Sequence, residues 1–192
     1  MMKKLLAIML VLLTLCGCKG KDKPEFTYDI KSTNVDMSYY DGVGSTNHKF
    51  KEILPVELEN VFANNSSGVF YLGYIDCPFC QKCIKYLDEV SREEDVTVYY
   101  LDAMNDYDPL KGERLRDIEK LLIDIMQYDK DTGDYNIWTP SVFSVINGKI
   151  VDYYVGLPTN ALGETDWSNP PTDKQISKLV NGYRKVIKPF VK

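Results

Sequence analysis

The stretch Gly68–Cys83, GVFYLGYIDCPFCQKC, limits what this chain can become more than any other. Val69 to Ile75 is an apolar and aromatic run without polar alternation, the pattern of a strand buried on both faces. It passes directly into QKCIKYLDEV, where Ile84, Leu87 and Val90 recur at helical spacing. Cys77 and Cys80 therefore flank Pro78 and Phe79 where a buried strand turns into a helix. Proline suits the first helical position, because the N–H it lacks would be unpaired there anyway. That puts Cys77 at the cap, facing unpaired amides and the positive end of the helix dipole, which favour a thiolate. Cys80, one turn on, is close enough to close a small ring, so the pair reads as a redox-active dithiol.

The chain has 192 residues, room for one good core, and 44% apolar and 27% charged residues are ordinary globular values. Its net charge of −5 and the lack of a basic patch argue against a nucleic-acid partner. The N-terminus reads as a targeting segment: MMKK, an apolar Leu5–Leu15 too short to span a bilayer, then Leu15-Cys16-Gly17-Cys18. This resembles the bacterial lipoprotein signal, which implies cleavage after Gly17 and a lipid on Cys18; Cys16 fits less well because Leu15 before it is not small. The alternative is an ordinary signal peptide or anchor. Loss of residues 1–17 takes Lys3 and Lys4 with it and moves the net charge to −7. The expected location is the outer face of the cytoplasmic membrane, where disulfides persist. Of five cysteines, Cys77, Cys80 and Cys83 then remain, too clustered for a structural disulfide framework.

Residues 18–47 read as a tether and N-terminal extension, with Phe26–Gly44 a mobile or edge element, and residues 48–192 as the folded domain. In order, the domain shows a short strand (Phe50–Leu54), a helix opened by Pro55, the central strand and the cysteine helix. A strand at Val96–Leu101 follows, then a helix over Gly112–Met126 and a polar loop at Asp129–Asn136. SVFSVI, Asn147-Gly148 and KIVDYYV form the clearest hairpin, and Thr172-x-x-Gln175 is a capping box opening the last helix.

This order resembles the thioredoxin fold, an α/β architecture with a central mixed sheet flanked by helices. Pro140, Gly148 and Gly156 keep that family's spacing within TPSVFSVINGKIVDYYVG, and CPFC stands at the strand-to-helix turn. Within the superfamily, the leader and the long helix before the proline resemble the bacteriocin transport accessory type of low-GC Gram-positive bacteria. The resemblance implies a cis Thr139–Pro140 bond against the dithiol, with the Thr139 backbone open to pair with an extended substrate. It implies a thiol–disulfide oxidoreductase in which Cys77 attacks and Cys80 resolves, with Pro78 and Phe79 beside the substrate. No cofactor beyond the Cys77–Cys80 disulfide and no metal are expected. The partners it implies are protein or peptide disulfide substrates, an electron donor or acceptor, and the membrane through the lipid.

Two residues depart from the family. Tyr71 stands where thioredoxins have a buried Asp that helps move protons, and Asp76 precedes the motif where they have Trp. A carboxylate beside Cys77 opposes thiolate formation and competes with the helix terminus. Cys83 reads as a small buried hydrophobe or, more sharply, as an alternative resolving thiol. His48 is taken as solvated, and Asp102, Asp106 and Asp108 as a solvated loop. The rival functions are an accessory or binding protein without turnover, and a site holding a metal or cluster on Cys77, Cys80 and Cys83, or copper on two thiols and His48.

Overall fold

The computed structural model describes residues 24, 26–104, 118–162 and 164–191. The leader, Cys18, Asp106, Asp108 and the first part of the helix expected over 112–126 lie outside the described residues.

The elements are β1 (Thr33–Asn34), β2 (Phe50–Glu52), α1 (Pro55–Ala63), β3 (Gly68–Gly73), α2 (Pro78–Glu93) and β4 (Val98–Asp102). After them come β5 (Gln127–Asp129), β6 (Asp134–Asn136), β7 (Ser141–Ile146), β8 (Lys149–Val155) and α3 (Asp173–Ile187). The main sheet has the order β1-β2-β4-β3-β7-β8. Strands β2, β4 and β3 run parallel, while β7 is antiparallel to β3, and β8 to β7. A mixed sheet in this order, with helical crossovers and a closing hairpin, is the thioredoxin fold.

All six residues of β3 are buried, as a strand without polar alternation requires. Its side chains alternate between two cores: Val69 and Tyr71 join the one under α2 and α3, while Phe70 and Leu72 join the one under α1. Helix α2 puts Cys80, Cys83, Ile84, Leu87 and Val90 on its buried face. Helix α3 packs beside it, opened by the expected capping box: Gln175 N–H donates to the Thr172 hydroxyl, and Thr172 N–H to the Gln175 side chain. At the β7–β8 turn Asn147 and Gly148 have φ of 50° and 70°, as a two-residue hairpin loop demands. Gly156, at φ 70°, donates its N–H to the Pro140 carbonyl (2.8 Å), which joins the end of β8 to the start of β7.

The structure corrects three sequence expectations. It keeps the edge reading of residues 26–44, where β1 adds an edge strand to the main sheet, and Met37, Tyr40 and Val43 are buried in the same core as α2. Tyr28 donates to Glu57 of α1 (2.9 Å), and Gln81 of α2 donates to the Tyr39 carbonyl (3.2 Å), so long-range bonds hold this segment. The helix expected to reach Met126 is helical at 118–121 and tightens into a single turn at Ile123–Ile125 before Met126 becomes extended. Where a polar loop was expected, Tyr128 pairs with Tyr135 in a two-stranded hairpin. The third correction is His48. It is half-buried, its Nδ1 accepts the Phe50 N–H (3.2 Å), and its Nε2 is enclosed without a hydrogen-bond partner among the described residues.

Candidate active site

The Cys77–Cys80 pair sits at the C-terminal end of β3, where the chain turns into α2. Cys77 is the N-cap residue, with extended backbone (φ −73°, ψ 113°), and Pro78 opens the helix. The two cysteines form a disulfide with Cα atoms 5.1 Å apart, and the Cys80 amide points at the Cys77 sulfur (3.1 Å). When the disulfide is open, that amide and the other free N–H groups of the first turn stabilise negative charge on Cys77 rather than on Cys80. Burial is uneven as well: Cys77 keeps 2% of its surface and Cys80 none.

Facing the pair is the loop before β7. The Thr139–Pro140 bond is cis, as the resemblance implies, and Pro140 is buried. The Thr139 hydroxyl lies 3.6 Å from the Cys77 sulfur and its carbonyl oxygen 3.8 Å from it. Pro78 is exposed, Phe79 is 43% exposed with the Lys82 ammonium 5.6 Å from its ring centre, and Trp138 is 48% exposed. Thus Cys77, Cys80, Pro78, Phe79, Thr139 and Pro140 come together in space. Asp76 is exposed, so water screens its charge beside Cys77.

Cys83 lies inward, on the buried face of α2. Its thiol points at the Cys80 carbonyl oxygen (3.7 Å), and burial pushes its pKa up to about 12, opposed by the Tyr183 hydroxyl. Tyr71 occupies the place of the family's buried Asp, fully enclosed. Burial holds its phenol well above its ordinary range, and its hydroxyl has no hydrogen-bond partner among the described residues. At neutral pH it is a neutral donor and carries no charge.

The cysteine-ligand rival finds no assembled set: no group of three or more His, Cys, Asp and Glu suited to a metal ion occurs among the described residues. His48 precedes β2, whose Phe50 is level with Val98 of β4 and so with Val69 of β3. Cys77 lies beyond the other end of β3, and the four residue steps from Val69 to Gly73 alone separate the two by about 13 Å.

Sequence reasoning missed the loop Tyr39–Gly42, which lies against the start of α2. Gln81 bridges it, accepting from Asp41 N–H (3.2 Å) and donating to the carbonyls of Tyr39 and Ile75 (3.2 and 2.6 Å). The available signal was the three-residue spacing of Met37, Tyr40 and Val43, which mark successive turns closed by Tyr40 N–H to Met37 and Val43 N–H to Tyr40 (3.0 Å each).

No family model matches the sequence, and no curated protein does. Similar solved structures include oxidised thioredoxin O2 from Arabidopsis thaliana, at 16% identity over 77% of this chain and 98% of that one, TM-score 0.44. Thioredoxin from Aeropyrum pernix is 22% identical over 68% and 86%, TM-score 0.36. Oxidised thioredoxin from Plasmodium falciparum is 14% identical over 67% and 90%, TM-score 0.35. The fold assignment stands on the strand order and directions described above.

Proposed function

We propose that this chain is a thiol–disulfide oxidoreductase acting through Cys77 and Cys80 on protein or peptide disulfides outside the cytoplasm. The observation that carries the reading is the Cys77–Cys80 disulfide at a helix N-cap, with the outer sulfur against Thr139. In the reduced protein the Cys77 thiolate attacks one sulfur of a substrate disulfide. A Cys77–substrate bond forms, and the other substrate sulfur leaves as a thiolate that takes a proton from water. Cys80 then gives up its proton and attacks the Cys77 sulfur. The Cys77–Cys80 bond closes, the second substrate sulfur leaves, and two electrons have passed to the substrate. A dithiol partner that reduces the protein, or a disulfide partner that oxidises it, completes the cycle and sets its direction. Thr139 offers its backbone to an extended substrate segment, and Phe79 and Pro78 flank it.

The location belongs to the same proposal. Leu15-Cys16-Gly17-Cys18 supports a lipid on Cys18 and a place on the outer face of the membrane, with secreted or surface proteins as substrates. Service to bacteriocin export is the narrower form of this reading, and it rests on the resemblance alone.

Insulin reduction by dithiothreitol tests the chemistry: the parent should accelerate it and Cys77→Ser should not. Equal rates with and without the parent would overturn the reading and leave a fold that binds without turnover. For the location, Cys18→Ala should leave an unprocessed precursor or release the protein from membranes. Unchanged partitioning and migration would exclude lipidation.

A further inference from the structure

Gln81 is the fourth residue of α2, and its half-buried side chain uses both ends of its amide. Nε2 donates to the Ile75 carbonyl (2.6 Å) and to the Tyr39 carbonyl (3.2 Å), while Oε1 accepts the Asp41 N–H (3.2 Å). Turning the amide over would set oxygen against oxygen, so its orientation is fixed by its partners. The Gln81 backbone N–H donates to the Cys77 carbonyl (3.1 Å), and the Cys77 N–H to the Tyr74 carbonyl (3.2 Å). One residue thus grips the β3–α2 corner at Ile75 and at Cys77, on either side of exposed Asp76.

The segment to which it ties that corner is itself fixed. Met37, Tyr40 and Val43 are buried, and the turns between them are closed by backbone bonds of 3.0 Å. The Tyr40 hydroxyl meets that of Tyr100 in β4 (3.1 Å). Gly42 lies against the Lys85 stem, which a Cβ there would approach to 3.2 Å. A bond to a loose loop would restrain nothing, whereas these bonds run to a segment seated on the core.

We propose that Gln81 is a positioning residue for the Cys77 thiolate: it keeps the corner closed in the reduced protein, so that the Cys80 amide stays aimed at the sulfur. The proposal rests on the oxidoreductase reading, in which reduced Cys77 attacks. In the oxidised chain the disulfide ties Cys77 to the first turn of α2, with the Cys80 N–H 3.1 Å from the Cys77 sulfur. Once the disulfide opens that tie is gone, and the corner depends on non-covalent contacts, the Gln81 bonds among them. First-turn amides favour a thiolate only while the sulfur stays in front of them.

The test is the pH dependence of iodoacetamide labelling at Cys77, read by peptide mass on the reduced full chain in detergent micelles. Gln81→Met keeps the length without a donor or a charge, and Gln81→Ala removes the side chain. In both variants the Cys77 midpoint should move up by about 0.5–1 pH unit, the range of one typical hydrogen bond. Below the parent's midpoint labelling should slow roughly fivefold, and far above it the variants should match the parent. Cys83 reports the fold in the same digest and should stay unlabelled in parent and variants. An unmoved midpoint in both variants would overturn the proposal. So would slowing by one factor at every pH, which marks obstruction rather than lost thiolate stabilisation. Labelling of Cys83 in the native variants would overturn it too, since the bonds would then hold the helix rather than the corner. Should the parent fail to accelerate insulin reduction while the Cys77 midpoint still shifts, the oxidoreductase reading falls and the positioning role stands.

Discussion

The sulfur of Cys77 lies 3.6 Å from the hydroxyl oxygen of Thr139, a residue 62 positions later in the chain. One sulfur is therefore shared by the β3–α2 corner and the loop entering β7, while Cys80 lies fully buried behind it. On the proposed function, an incoming disulfide would meet Cys77 first. Cys80→Ser should accumulate disulfide-linked complexes that disappear on reduction, and Cys77→Ser should accumulate few. Equal trapping, read on non-reducing gels, would refute this division of roles.

Cys83 should stay silent in the native protein. With burial pushing its pKa up to about 12, its thiolate fraction at pH 8 is about one part in ten thousand. Brief iodoacetamide treatment of the reduced protein should label Cys77 and leave Cys83 unmodified until the chain is denatured, as read by peptide mass. Early labelling of Cys83 would restore it as a candidate resolving thiol.

Asp88 provides a pH signature of stability. It is buried on α2, where desolvation raises its pKa and the nearby Arg92 guanidinium (3.0 Å) opposes the rise. A carboxyl raised in the native state contributes stability below its unfolded pKa and loses it as pH climbs through the native value. Asp88→Asn cannot ionise. The stability of Asp88→Asn relative to the parent should therefore rise with pH from about 4 upward, where an unfolded Asp begins to titrate, and level off above the native pKa. A difference independent of pH in urea unfolding would contradict this.

Gly182 sits inside α3 under the ring of Tyr154: a methyl group there would fall 2.3 Å from ring carbons. Alanine improves helix propensity by about 1 kcal/mol. Tyr154 packs edge-on against buried Tyr183 (5.5 Å), so making room costs about 1–3 kcal/mol. The clash should win, and Gly182→Ala should melt several degrees lower, at roughly 2–4 °C per kcal/mol for a domain of this size. A higher melting temperature would mean that the Tyr154 ring moves aside freely.

The parts legible in the sequence are those whose signals are local. A fully apolar run, Pro78 at the first helical position, Asn147-Gly148 where two positive φ angles are needed, and Thr172 with Gln175 each specify geometry within a few residues. From them β3, α2, the β7–β8 hairpin and the start of α3 follow, and with them the corner that holds Cys77.

What tertiary structure alone decided depends on partners distant in the chain. Met37, Tyr40 and Val43 recur every third residue in a polar extension, but that spacing does not say what they pack on; they are core because they share a cluster with the buried face of α2. Tyr128 and Tyr135 lie seven positions apart around a polar turn, so their pairing emerges only once the chain reverses at Gly133. The contact of Thr139 with Cys77 is likewise a property of the assembled sheet: β3 and β7 must pair, in register, before the two residues meet. Local chemistry specifies each strand, helix and turn, but the free energy that seats them against one another comes from surface buried between segments far apart in the chain.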